Sequence, residues 1–506
     1  MFNPDLNSMD YRYIGLIAGL VVVCFICCTG CVSETAAPAN LTFYTEQYPP
    51  TNFKENGTLK GIAVDLLVEM TGRMGSPVKP SAIHFVPWSE GYREALNRNN
   101  VVLFSTVRLP ERENLFKWVG PISNTHKVIF ARSGSVISVQ GPGDLAGYRI
   151  GVVTDDSATG ELAALGIRPD QLISDPDPAV ILEMLLDKKI DLFAYGKDPG
   201  EYLARNKTGS TSAIKVVYQL DEYQLYYAFN NKTPDAVVQQ YQQSLDALKK
   251  EIGPDGVSTY ERIAGRYESP AAFLSLTYLT EEFPPLNYKE DGNLNGVAVD
   301  LLAAIFKNNG AKLTNDTIEM VVWKDGYARA LNNTGTVLFS TARNPSRENL
   351  FKWAGPSVSS DNVLIADKAR NLSIHDAADL NGLVIGVMTD TSSVPVLESL
   401  GVKKENMVIR HSATDLIQML DNGSIDAWAT GNMSGMLLIA KHSSRPRSFV
   451  PVYTLTSNNY YYAFSRDTPN TTVVAFQKAL DDVKNNPGEN GVTEYQRILN
   501  RYMDIG

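Results

Sequence analysis

The chain writes one long phrase twice. "LTFYTEQYPPTNFKENGTLKGIAVDLL" begins at Leu41 and returns as "LTYLTEEFPPLNYKEDGNLNGVAVDLL" from Leu276. "STVRLPERENLFKWVGP" at Ser105–Pro121 returns as "STARNPSRENLFKWAGP" at Ser340–Pro356. The shift is 235 residues throughout: it carries Trp88 onto Trp323, Asp191 onto Asp426, the "YYAF" at Tyr226 onto that at Tyr461, and Tyr267 onto Tyr502. A constant offset leaves no net insertion or deletion between the copies. That is the signature of a duplicated whole domain, not of a solenoid of short repeats. With 506 residues the chain also exceeds one ordinary domain.

Within each copy, short apolar runs alternate with amphipathic stretches. "VVLFST", "KVIFAR", "YRIGVVT", "KIDLFAYG" and "YYAF" read as strands. "GIAVDLLVEMTGRMG" reads as a helix opened by Asp65 (Asp300 in the second copy) as its N-cap, and "AVILEMLLD" as another. Alternation of this kind predicts an α/β fold with largely parallel sheets.

Composition excludes several classes. The net charge is −10 and no basic arm or stripe occurs, which argues against a nucleic-acid partner. All four cysteines, Cys24, Cys27, Cys28 and Cys31, fall in the first 31 residues, so the body has neither a disulfide framework nor a thiolate metal site. The five histidines occupy no equivalent positions in the two copies, and no metal-binding spacing, phosphate loop or nucleophile elbow is present. No cofactor or metal is expected.

The N-terminus carries a different message. Ile14–Cys31 contains no charge and ends in "CCTGC", as a secretory leader with a lipidation site at Cys31 would, or as an uncleaved membrane helix would. "VSETAAPAN" at 32–40 then reads as a tether. Asn-x-Ser/Thr triplets recur along the body from Asn40 to Asn470, which fits an exported protein. Both readings place the body at the outer face of the cell membrane.

The order "YPP…G.AVDLL…W…LFST.R.P.RE..FKW.GP…DL.G..IGV.TD…ID…YYAF" resembles the type II periplasmic solute-binding proteins, in their bacterial extracellular family 3, amino-acid-binding-like branch. The likeness covers both copies. It implies two tandem modules, each of two α/β lobes joined by hinge strands that close on a ligand. Module 1 would span 41–267, with lobe 1 about 41–128 and 224–267 and lobe 2 about 129–223. A linker at 268–275 would lead to module 2 at 276–504, with lobe 1 about 276–363 and 459–504 and lobe 2 about 364–458. "KVIFAR" and "YYAF" would be the crossovers of module 1, and "VLIADK" and "YYAF" those of module 2.

Candidate ligand residues follow. A guanidinium recognises a carboxylate with two parallel donors, which lysine cannot do. The resemblance puts the carboxylate clamp at Arg112 and Arg347. Arg108 and Arg343, four residues earlier, either share that face or pair with neighbouring glutamates such as Glu113 and Glu348. Ser105 and Ser340, near strand ends, face a cleft or bond their own backbone. The resemblance makes Tyr48 and Phe283, before Pro-Pro, aromatics that stack on the ligand; Trp88 and Trp323 either join them or pack the lobe. Ser157 in copy one, and Thr391 and Ser392 in copy two, stand at a helix start, where free backbone N–H groups favour an anion.

Two departures qualify the resemblance. Asp156 stands where copy two has Thr391, so copy one is poorly prepared for a carboxylate. The acidic residue with which amino-acid binders hold the ligand's ammonium is replaced by Gly196 and Gly431. The expected protein is a non-enzymatic, tethered tandem receptor. It would capture a small carboxylate-bearing solute in each cleft and deliver it to an ABC-type membrane permease. The alternatives are a sensor acting through a separate membrane partner, and a dehydratase-like enzyme on the same fold.

Overall fold

A computed structural model describes residues 40–314, 317–389, 391, 393–488 and 490–503. The leader, Cys31 and the tether expected at 32–40 lie outside the described residues, apart from Asn40. Among those described, no helix is long and apolar enough to cross a membrane. The chain forms two compact units, divided between Leu245 and Asp246.

Unit 1 is built on one eight-strand ladder. Across it run His84–Phe85, Thr42–Thr45, Val101–Val107, Ile214–Asn230, Phe116–Arg132, Leu192–Gly196, Ile150–Val153 and Leu172–Asp175. The first three are mutually parallel, as are the last three. The two central strands are 17 residues each and antiparallel to one another and to their outer neighbours. They belong to two mixed sheets at once: their Phe116/Asn230 ends pair on the Val101–Val107 side, and Lys127–Phe130 pairs with Leu192–Gly196. "YYAF" therefore lies in the first sheet and "KVIFAR" in the second. The crossing runs between them, where the register slips between Gln219 and Glu222 and again between Leu225 and Tyr227. A slip breaks the ladder and bends the strand, which is how one strand serves two sheets.

Unit 2 repeats the plan with Ile318–Met320, Thr277–Thr280, Thr336–Ala342, Phe449–Phe464, Lys352–Asp367, Ala427–Gly431, Ile385–Met388 and Met407–Arg410. Parallel strands need crossover helices, and the amphipathic stretches supply them. Residues 246–275 pack with this unit, although the repeat counts most of them with the first copy. Helix Thr259–Gly265 lies on helix Asn470–Asn485, and Asn470 Nδ2 donates to Glu261 at 3.1 Å. Gly265 permits the approach, since a Cβ there would stand 2.6 Å from Val474 Cβ.

The expected N-caps are corrected. Gly61 and Gly296 hold that place at φ 130° and 126°, because the backbone of Thr51 or Leu286 leaves no room for a Cβ there. Asp65 and Asp300 sit in the first helical turn instead. Asp300 accepts from Tyr502 at 3.0 Å and pairs with Arg501.

Candidate ligand clefts

A cavity of unit 1 opens between its two sheets. It is lined by Glu46, Tyr48, Trp88, Ser105, Val107, Arg112, Lys127, Asp156, Ser157 and Leu225, and it measures about 10 Å³. A single water needs roughly that much space. Five candidates from the sequence, Tyr48, Trp88, Ser105, Arg112 and Ser157, are brought together here.

Trp88, Arg112 and Tyr48 reach across the cavity to Asp155 and Tyr195, in or beside the strands of the second sheet. Asp155 turns in a left-handed conformation, φ 62°. Its carbonyl accepts from Arg112 Nη2 at 2.9 Å and from Trp88 Nε1 at 3.1 Å. Tyr48 O–H bonds Thr125 Oγ1 at 2.8 Å, and its ring meets Tyr195 edge-on at 5.7 Å. Gly196 makes that seat: a Cβ would lie 2.4 Å from the Tyr48 hydroxyl oxygen. Arg112 is 7% exposed and lies over Trp88 and Tyr92 at 5.5 and 5.2 Å. A guanidinium over an aromatic face is held by the ring quadrupole.

The arginine four residues upstream does something else. Pro110–Arg112 is a single 3₁₀ turn and Arg108 precedes it in extended backbone, so the two do not share a helical face. The shared helical face expected for Arg108 and Arg112 is corrected accordingly. Arg108 pairs with Glu113 at 2.7 Å and stacks over Trp118 and Tyr226; Arg343 pairs with Glu348 at 2.8 Å and stacks over Trp353 and Tyr461. Each guanidinium is thus engaged by a neighbouring glutamate and two aromatic rings.

Ser105 and Ser340 hold positive φ, 65° and 57°, inside their strands, where the register against the hinge strand also slips. Each hydroxyl donates to the side-chain oxygen of a buried asparagine, Asn52 or Asn287. An L-residue persists in that region only when its surroundings over-determine it. These serines shape the cleft wall and spend their proton on the asparagine. Ser157 differs: its hydroxyl is buried and has no partner among the described residues.

Two residues at the centre of the cavity did not figure among the sequence candidates. Lys127, 1% exposed, donates to both oxygens of Asp156 at 2.6 and 2.7 Å. Asp156 also caps the helix Ser157–Ala164 by accepting from Ala158 N at 2.8 Å. Burial pulls the Lys127 ammonium down, but the charge of Asp156, with Tyr48 and Glu46 behind it, outweighs that and raises its pKa. Glu46 is pushed up to about 8, first by burial, then by Asp156, with Lys127 opposing. The signal available in the sequence was the paired difference: Lys127 and Asp156 are charged where Asn362 and Thr391 are not.

Unit 2 presents the same positions in another state. Arg347 lies over Trp323 and Tyr327 at 5.2 and 5.4 Å and donates to the Ala342 carbonyl at 3.1 Å, but both Arg347 and Trp323 are only half-buried. Phe283 packs on Tyr460, at 5.5 Å. The atom nearest a Cβ at Gly431 would be Ser434 Oγ, not the Phe283 ring. Thr391 is half-buried and its hydroxyl donates to the Met388 carbonyl at 2.9 Å. Ser392 lies outside the described residues.

Residues 41–264 and 276–504 each match the bacterial extracellular solute-binding proteins, family 3. A probable histidine-binding protein of Campylobacter jejuni is 23% identical over 210 residues, 40% of this chain and 76% of that protein. Among solved structures, the BvgS periplasmic domain of B. pertussis is 16% identical, covering 92% of this chain and 90% of its own, with a TM-score of 0.34. A histidine kinase sensor domain with similarity to periplasmic binding proteins is 23% identical over 46% of this chain and 96% of its own, with a TM-score of 0.40. Substrate-binding domain 2 of Lactococcus lactis GlnP is 21% identical over 45% and 95%, with a TM-score of 0.38. The match of both copies, set in one register, makes this chain a member of the bacterial extracellular solute-binding proteins, family 3, carrying the family's domain twice.

Proposed function

We propose that the protein is a tethered receptor at the outer face of the membrane that captures a small carboxylate-bearing solute, amino-acid-like or an organic acid, and hands it to an ABC-type permease. The observation that carries this reading is Arg347. It lies half-buried on two aromatic rings and donates to the Ala342 carbonyl, with no carboxylate paired to it among the described residues. A guanidinium so placed offers planar, paired donors to a carboxylate. Gly431 supports the organic-acid side of the range, since no acidic side chain stands there for an ammonium group. The N-terminal segment, with Cys31 as lipidation site, would provide the tether.

The test is thermal unfolding of the protein against a library of amino acids and organic acids. A ligand at a hundredfold excess over Kd stabilises by about 2.7 kcal/mol, a shift of several degrees. A hit lost in Arg347→Ala supports the reading. A hit that survives that change, or silence across the library, removes it.

A further inference from the structure

The two clefts carry different charges at matching places. Around the module 1 cavity stand two cations, Arg112 and Lys127, and the carboxyl groups of Asp156 and Glu46; module 2 has Arg347, Asn362, Thr391 and Glu281. A cleft that closes over a guanidinium must supply it with acceptors, because burying an unmatched charge is costly. In module 1 the protein supplies acceptors from its own chain, among them the Val107 carbonyl, 3.4 Å from Arg112 Nη1. The Asp155 carbonyl takes Arg112, both oxygens of Asp156 take Lys127, and Tyr48 covers the pair, its ring 5.9 Å from the ammonium. What remains is room for one water.

We propose that Asp156 is a built-in counterpart of a solute carboxylate in module 1. This module thus closes on its own side chains and leaves module 2, with Thr391 and Asn362 at the matching positions, as the cleft that answers to solute. The part concerning module 2 rests on the function proposed above; the part concerning module 1 does not.

Helices Trp88–Asn97 and Ser157–Ala164 begin on either side of Asp155, so labels at their far ends report the opening of this cleft. The full chain, with its four N-terminal cysteines changed to serine, would carry Asn97→Cys and Ala163→Cys, both exposed, for spin-label distance measurement. The expected result in buffer alone is one short distance, unchanged by a mixture of the twenty amino acids. Asp156→Ala should lengthen it, and formate or acetate, entering the space left by the carboxylate, should restore it. Because Asp156→Ala strands a buried lysine at a cost to folding, the double variant Lys127→Asn with Asp156→Thr supplies the module 2 residues. It should lengthen the distance without loss of circular dichroism.

A long distance in the unmodified chain that amino acids or acetate shorten would overturn the proposal. So would a short distance kept by both variants. If the distances behave as expected but no solute shifts thermal unfolding, the self-closed module stands and the uptake reading falls.

Discussion

The same wall is buried in one module and half-open in the other. Tyr48, Trp88, Val107, Arg112, Thr125, Lys127, Tyr195 and Leu225 are buried; Phe283, Trp323, Ala342, Arg347, Ser360, Asn362, Thr430 and Tyr460 are not. The backbones share sheet order and even the strained serines, so the fold does not set this difference. Charge and hydroxyl placement do. Module 1 has a phenol that reaches Thr125 and a carboxylate that balances a buried lysine. Module 2 has a phenyl ring, a threonine and an asparagine there. Duplication kept the frame and let the two clefts diverge at the residues that decide whether closure is self-sufficient.

The largest expected effect breaks the comparison at its centre. Lys127→Met leaves Asp156 without its partner in a site where its side chain is only 15% exposed. Removing one member of a buried pair costs about 3 kcal/mol or more, and hydrogen exchange should place the loss in module 1. Asn362→Met, at the half-open counterpart, should stay within about 1 kcal/mol.

Next comes Gly196→Ala, whose Cβ would stand 2.4 Å from the Tyr48 oxygen and 2.7 Å from Pro199 Cγ. Overpacking of this kind costs about 1–3 kcal/mol and should expel Tyr48, read as increased tyrosine exposure. Gly431→Ala meets Ser434 Oγ at 2.8 Å, a small side chain that can rotate away, and should cost less.

A third measurement uses pH. Glu46, faced by Asp156 and Lys127, keeps its proton in the folded protein up to about 8, whereas an unfolded glutamate loses it near 4.3. The folded state therefore binds the extra proton, and module 1 should lose stability as pH rises through that window and level off above it. Glu46→Gln should flatten the profile. Glu281 is raised by burial alone, with no neighbouring charge adding to it, so module 2 should show the weaker dependence.

The smallest effect belongs to the outer arginines. Arg108→Ala and Arg343→Ala remove part-exposed ion pairs with some aromatic stacking, and each should cost about 0.5–1 kcal/mol. Neither should alter solute binding. A loss of binding in Arg343→Ala would reinstate that residue in the cleft.

Much of this was legible from residues alone. The offset of 235 shows in Trp88/Trp323 and Tyr267/Tyr502 without any structure, and strand–helix alternation yields the α/β class. Trp88, Ser105 and Ser157 were candidates because strand ends and helix starts are where an α/β cleft gathers its groups, Arg112 and Tyr48 because of the family resemblance, and all five line one cavity. A face shared by Arg108 and Arg112 does not form, because spacing of four residues means a shared face only on a helix, and the segment runs from a strand into one 3₁₀ turn. Lys127 was passed over because it sits inside "KVIFAR", where alternation says strand and nothing says which neighbour the side chain will meet.

The duplication, the fold class and the chemical inventory of each cleft are thus properties of the linear chain, because periodicity, offset and residue type are local facts. Which charges meet is not local. Lys127 and Asp156 are 29 residues apart, Arg112 and Asp155 43, Tyr48 and Thr125 77. Only the folding of two hinge strands through two sheets brings them within hydrogen-bond range, and only there does a lysine with its own carboxylate become the reason one cleft is full while its twin stays half-open.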